Sequence, residues 1–520
     1  MSKQILRNIF SNYLVNFIQL ALGFIIVPFL IKKLGQNAYG LIVLAESTIG
    51  FFEIVTVNIR IALSRYVTFS MSQEKYDDFM EYLSAGRFML NCAGGLILII
   101  GSIISYNFSN IFQVPDHLVS ESKILFFLII IGFFISVPNI LYWSILYAKQ
   151  RFDLINKAAT AGIMTRAGCV FILFSILPDD HVNLVMYGVF YLLMKLIQNI
   201  LVYRWHFSML EGIKIVYRKF KMSRIKEIAS FGIHASISNI SGLLYNQTAT
   251  ILINIFWGPQ YNTIYDISMK FPNMIRNLFV QATWTLTPTF TDYAARNDKL
   301  KVKQLLFVYT KAMSLITIPI GFLFIMLAYP LISIWVGKQF EMSSKLLIWH
   351  MIPLIFHIPM AVTNCVFLAY GKVKFPSYFR LIAAVINLLL AVFLVKFFSL
   401  GLFGFAYSAA LIIFLQAGII VPWYACKITK LSLREYWVQT FLIPFSWAAT
   451  IIFGSFFLIH QIQSGNHFSL LLFAILTVAA VIYIVGSYKF ILDPTERGFM
   501  QQFIQNKFKK GKVSVEDNTI

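Results

Sequence analysis

Fourteen blocks of mostly apolar residues, divided by short polar turns, follow one another from residue 9 to residue 491, and no water-soluble core accounts for that regularity. The blocks are Ile9–Ile31, Gly40–Leu63, Phe88–Tyr106, Ile124–Ala148, Ile155–Leu177, Val182–Tyr203, Ile228–Trp257, Ile264–Phe290, Leu305–Tyr329, Leu346–Tyr370, Tyr378–Phe398, Leu402–Tyr424, Trp437–Ile459 and Phe468–Ile491. A bilayer core about 30 Å thick is crossed by about 20 helical residues, and inside it each backbone polar group must be paired within its own segment. The expected fold is therefore all-α, a polytopic membrane protein of about 14 transmembrane helices. Charged residues make up 12% of the 520, against about 25% in soluble domains. The first block is followed by no small-residue cleavage site, so it reads as a helix rather than a signal peptide.

In a soluble protein a net charge of +21 would suggest nucleic acid as a partner. Here the lysines and arginines gather in alternate loops. With the N-terminus inside, most of them fall on the cytoplasmic face, which places both termini there and the chain in the cytoplasmic (inner) membrane. Anionic lipids then account for the charge, and no nucleic-acid partner is needed. The longest cytoplasmic connector, residues 206–227, holds KIVYRKFKMSRIKE, a basic run with interleaved apolar residues suited to a helix on the membrane surface. On the opposite face the longest loop is NFSNIFQVPDHLVSES, too short to carry a catalytic domain. The four cysteines, Cys92, Cys169, Cys365 and Cys426, show no C-x-x-C spacing and read as small apolar residues.

A weak internal repeat is visible. LYAKQRF ends at Phe152 and AYGKVKF at Phe375, an offset of 223 that also carries Gly35 in KKLGQNAYG onto Gly258 in FWGPQYNTIY; Pro138 and Pro359 correspond at 221. Two six-helix lobes, residues 1–205 and 228–428, are expected, with helices 13 and 14 in 429–492 and a cytoplasmic tail in 493–520. An even helix count gives both copies the same orientation and leaves a central cleft as the substrate path.

These turns, the basic connector and IFWGPQYNTIYDISMK together resemble the polysaccharide flippases of the multidrug, oligosaccharidyl-lipid and polysaccharide exporter superfamily, the group that includes O-antigen and capsule repeat-unit flippases. The resemblance spans essentially the whole chain. It implies a transporter, not an enzyme, that flips an oligosaccharide linked to a polyprenyl diphosphate, with helices 1, 2, 7 and 8 lining the cavity. It implies no cofactor, and as partners the lipid-linked oligosaccharide, membrane lipids and other polysaccharide assembly proteins. The family pattern places an acidic residue inside helix 7, where this chain has Gln247 in YNQTAT and so departs from it.

A charge at mid-membrane costs about 2.5–3.5 kcal/mol on insertion scales, so each one kept there should face a partner or water. Glu46, Glu53 and Arg60 are spaced by seven and form one stripe on helix 2, about 10 Å per step. On helix 8, Asp266 and Lys270 form an i,i+4 pair and Arg276 has no acid near it in sequence. Arg166 in helix 5 and Lys195 in helix 6 also lie near mid-helix. Arg276, Lys270, Arg60, Arg166 and Lys195 are the candidate contacts to the diphosphate, because guanidinium groups present a fork of donors to phosphate oxygens. Arg60, within a turn of the cytoplasmic end of its block, is equally well placed to snorkel to the inner headgroups, and Arg166 and Lys195 to bond backbone carbonyls or acids on neighbouring helices. Glu46, Glu53 and Asp266 are candidates for coupling or for pairing with these bases, and Asn58, Gln247, Asn273, Asn277 and Gln281 for sugar hydroxyls. His350 and His357, seven apart, have no acid or cysteine at ligand spacing and read as isolated core histidines, so no metal site is expected. An alternative is a cation-coupled drug or metabolite exporter of the same fold, which should collect acids rather than bases in the cleft. A membrane enzyme would need a long charged loop, and the chain has none.

Overall fold

The computed structural model describes residues 3–498 apart from 179–181, 210–220, 285, 462–467 and 495. The principal helices are α1 (Lys3–Leu34), α2 (Gln36–Ser72), α3 (Tyr76–Tyr106), α4 (Val119–Ala148), α5 (Phe152–Ile176), α6 (Leu184–Met209), α7 (Met222–Trp257) and α8 (Pro259–Trp284). They continue as α9 (Lys299–Met326), α10 (Glu341–Met360), α11 (Lys374–Phe398), α12 (Leu402–Ile413), α13 (Ile443–Gln461) and α14 (Phe468–Gly486). No strand occurs among the described residues. Eleven described helical stretches are long and apolar enough to cross a membrane. Their outward faces carry large apolar side chains in the open, Phe10 at 69%, Phe397 at 75% and Ile176 at 73% exposure, as a surface in contact with lipid requires.

Several helices exceed the apolar blocks that announce them. With 37 residues and a rise of about 1.5 Å each, α2 is far longer than a bilayer core is thick. Hydropathy registers the apolar part, whereas the more polar turns beyond Leu63 and before Phe88 stay helical, with residues such as Ser70, Glu81 and Ser84 buried in the protein. The α2–α3 turn closes with Glu74 in the left-handed region (φ 58) and Lys75 N–H donating to Ser70 O (3.0 Å). Prolines break some blocks. The tenth block stops at Met360, just past Pro359, and resumes as Thr363–Ala369; the eighth stops at Trp284, and a short helix Thr287–Ala295 starts with Pro288 in its first turn. Pro138 lies inside an unbroken α4. Most of the basic connector's central run, 210–220, lies outside the described residues.

The repeat marks two turns of one kind. Gly35, between α1 and α2, has φ 85 and ψ 167; Gly258, between α7 and α8, has φ 91 and ψ 179. Side-chain-bearing residues rarely adopt that backbone, which is why glycine recurs at the offset.

The chain packs as two compact units. The first comprises the chain up to Lys270 with Leu331–Leu346 and Ser377–Ser408. In it α4 lies against α6, α2 and α3, α5 against α6 and α1, and α7 against α2. Small residues let these helices approach, as membrane packing demands: at Gly188 an added Cβ would lie 2.9 Å from Leu128. At the start of α7, Arg224 clamps α3. Its Nε donates to Glu81 Oε2 (3.0 Å), its Nη1 to the Tyr82 hydroxyl (2.9 Å) and to Glu227 (3.3 Å), and its Nη2 to Asp78. Arg224→Ala is expected to cost about 1–3 kcal/mol, and Arg224→Lys to recover less than half of it, because one ammonium cannot span the four partners. Melting temperatures of the two purified variants provide the check.

The second unit comprises Phe271–Pro330, Leu347–Pro376 and the chain from Ala409 onward. Its core gathers Phe290, Leu306, Ile318, Val366, Tyr436 and Phe441, all nearly inaccessible.

Candidate functional site

The heptad spacing on α2 places Glu46, Glu53 and Arg60 along one face, and the structure shows what that face meets. Glu46 and Glu53 are exposed although they lie inside a membrane-spanning helix. A carboxylate in hydrocarbon would cost several kcal/mol, so this face of α2 borders water. Near one end, Glu46 is held by Arg166 of α5, Nη1 to Oε1 3.0 Å, and by the Tyr187 hydroxyl of α6, also 3.0 Å; Arg166 donates to that hydroxyl as well (3.2 Å). The triad joins three helices through one carboxylate oxygen.

Farther along the stripe the arrangement opens into a cavity of about 260 Å³ between α2, α4, α5 and α6. Glu53 and Arg60 border it from α2 and Lys195 from α6. The Arg60 guanidinium lies over the Trp143 ring (5.3 Å), and the Lys195 ammonium lies near the Tyr191 ring (5.4 Å). None of these three charged groups forms an ion pair among the described residues, in contrast to Arg166. The rest of the polar lining is Thr56, Ser136, Asn139, Gln198 and Asn199. Asn139 Nδ2 donates to Asn199 Oδ1 (2.6 Å), and Asn199 Nδ2 donates to Ser136 Oγ (3.1 Å). Glycines give this lining its room: an added Cβ at Gly162 would lie 2.4 Å from Gln198 Cγ, and one at Gly132 would lie 3.4 Å from Lys195 Cγ.

The other candidates lie elsewhere. Lys270 is bound to Asp266 (2.9 Å), which also accepts the Tyr39 hydroxyl of α2 (2.6 Å), so the helix 8 pair is formed and extended by a third group. Arg276 donates to Asn273 Oδ1 (2.9 Å) one turn back on α8. Gln247, in the place of the family's acid, packs against Gly50, where an added Cβ would come within 2.9 Å of its Nε2. None of Asn58, Gln247, Asn273, Asn277 and Gln281 lines the cavity. The amides that do, Asn139, Gln198 and Asn199, were not singled out by sequence reading. A signal was there: Gln198 and Asn199 stand three and four residues beyond Lys195, on its face of the helix.

Comparison with known proteins fits this arrangement. The family model described as "polysaccharide biosynthesis protein" matches residues 32–345. A relative in Bacillus subtilis (strain 168), described as the uncharacterized membrane protein EpsK, is 21% identical over 81% of this chain and 83% of its own. Among solved structures, the lipid II flippase MurJ in an inward closed conformation superposes with a TM-score of 0.72 at 16% identity, covering 94% of this chain and 98% of MurJ. An inward-facing multidrug resistance transporter of the MATE family, in the MOP superfamily, superposes at 0.64 with 14% identity over 84% of this chain and 96% of its own. Polytopic, all-helical and matched over more than half its length, this chain belongs to the polysaccharide biosynthesis protein family of membrane proteins.

Proposed function

We propose that the protein flips a lipid-diphosphate-linked oligosaccharide across the cytoplasmic membrane by alternating access of two six-helix lobes, residues 1–205 and 228–428, with both termini cytoplasmic. The observation that carries this reading is the pair of cations, Arg60 and Lys195, that border a polar cavity among membrane-spanning helices without a carboxylate bound to either. Unpaired charge at that depth is expensive to keep, and an anionic head group moving past would offset the cost. Arg166 and Lys270, tied to Glu46 and Asp266, act on this reading as positioning groups that hold α5 and α8 against α2, and Arg276 is a further contact to the diphosphate. A cation-coupled exporter of the same fold would need an acid-rich cavity, and this one has two bases to one acid.

The test is surface polysaccharide in a strain lacking the gene, supplied with variants at matched protein levels. Arg60→Ala and Lys195→Ala should each lower transport about 10–100-fold, the loss expected for a charge-assisted hydrogen bond of about 1.5–3 kcal/mol. Wild-type polysaccharide from the double variant would reject the reading. Arg276→Ala belongs in the same series.

A further inference from the structure

We infer that the cavity between α2, α4, α5 and α6 is a subsite for one hydroxylated sugar unit that carries a single negative charge. The inference rests on the flippase reading and concerns which part of the cargo the cavity holds.

Three features select that chemistry. The first is charge: Arg60 and Lys195 against Glu53 leave a surplus of one positive charge, which one anionic group neutralises and which repels a cation. The second is hydrogen bonding of both senses. Arg60 and Lys195 can only donate, whereas the Glu53 carboxylate is an acceptor that no donor among the described residues reaches. Gln198 on the same wall donates through Nε2 to Ala159 O (3.4 Å), which leaves its Oε1 as a second acceptor without a donor among the described residues. A fully ionised phosphate brings acceptors and no donors, so it satisfies half of the wall. A sugar ring with an anionic substituent brings hydroxyl donors for Glu53 and Gln198 together with oxygens for Arg60 and Lys195. The third feature is size: about 260 Å³ is just below the range of about 300–1,000 Å³ usual for small-molecule sites, enough for one ring and its substituent but not for an oligosaccharide.

Two sources share this chemistry: a sugar attached to a phosphate of the lipid diphosphate, and an acidic sugar within the glycan. The experiment separates them. Saturation-transfer difference NMR on the full chain in lipid nanodiscs, with the methyl phosphodiester of glucose 1-phosphate, glucuronate, glucose or inorganic phosphate as the probe at millimolar concentration, reads weak binding directly. Ring-proton signals are expected from the glucose phosphodiester, from glucuronate, or from both, and not from glucose at the same concentration; whichever anionic probe gives signal names the source. Gln198→Leu should weaken the bound sugar about tenfold while leaving competition by inorganic phosphate unchanged, and Glu53→Leu, which removes an acceptor and a negative charge together, should shift the preference about tenfold from the sugar toward inorganic phosphate. Gln198→Met serves as the second variant if Gln198→Leu does not fold. Absence of signal from both acidic sugars would overturn the inference, as would competition by inorganic phosphate at equal strength or a wild-type preference in both Glu53→Leu and the folded Gln198 variant. In each of those cases loss of polysaccharide in Arg60→Ala and Lys195→Ala would still stand for the flippase reading, so the two fail separately.

Discussion

Gly40→Ala is expected to abolish the packing of α2 on α8 and to leave little folded protein. An added Cβ at Gly40 would lie 1.8 Å from the Pro259 carbonyl oxygen, 2.6 Å from its carbon and 3.0 Å from Thr263 Oγ1. The obstacle is backbone, which cannot rotate away as a side chain can. The approach is also tied by Gln36, whose Nε2 donates to Gln260 O (3.1 Å) and whose carbonyl accepts from Thr263 Oγ1 (2.7 Å). Accommodating the methyl therefore means parting the helices and losing both bonds. Overpacking in a core usually costs about 1–3 kcal/mol, and this substitution should exceed that range because the two nearest obstacles are backbone atoms. Gly95→Ala is the control, since an added Cβ there meets nothing within 4 Å. Melting temperature and surface polysaccharide, measured for both variants, decide the matter: Gly40→Ala should lose both while Gly95→Ala keeps both. A Gly40→Ala protein as stable as wild type would mean that α2 and α8 do not meet this way.

Gly40 also illustrates what a sequence makes legible. Gly35 and Gly258 stand out because a left-handed turn needs glycine in each copy of the repeat. Gly40 and Thr263 are related by the same offset, yet nothing in the letters says that these two positions touch. The apolar blocks are readable because hydrophobicity is a property of each residue in turn. Helix ends such as Ser72 are not, because polar residues carry the backbone ladder into the closing turn without leaving an apolar mark. The same division runs through the charges. The stripe of Glu46, Glu53 and Arg60 follows from helical periodicity, and the Asp266–Lys270 pair follows from one turn of helix. The partner of Arg166 is 120 residues away on another helix, and the third member of the Asp266 group, Tyr39, is 227 away. Side chains that meet only after the helices have packed cannot be paired by spacing.

Another such pair, 185 residues apart, supports the second large effect. Lys311, inside α9 and 4% exposed, binds Glu496 through Nζ and Oε2 at 2.8 Å, and the glutamate, 10% exposed, comes from the segment that follows α14. The same Oε2 accepts the Asp493 backbone N–H (2.9 Å), so one carboxylate oxygen both closes the turn after α14 and neutralises a buried ammonium. Removing one partner strands the other charge away from water. Glu496→Gln and Lys311→Ala should each therefore destabilise by about 3–5 kcal/mol, the loss usual when a buried pair is half removed. Replacing both groups by apolar ones of similar length, Lys311→Met with Glu496→Leu, deletes the attraction and the desolvation cost together, and should bring stability back to within about 1–2 kcal/mol of wild type. The residual loss falls on the Asp493 N–H, which no longer has its acceptor. Melting curves of wild type, Lys311→Met, Glu496→Leu and the double variant form a double-mutant cycle. A coupling energy near zero would show that the tail segment does not seat on α9. A large positive coupling, with a double variant more stable than either single one, would show that the two charges are costly to bury and are tolerated because they lie together.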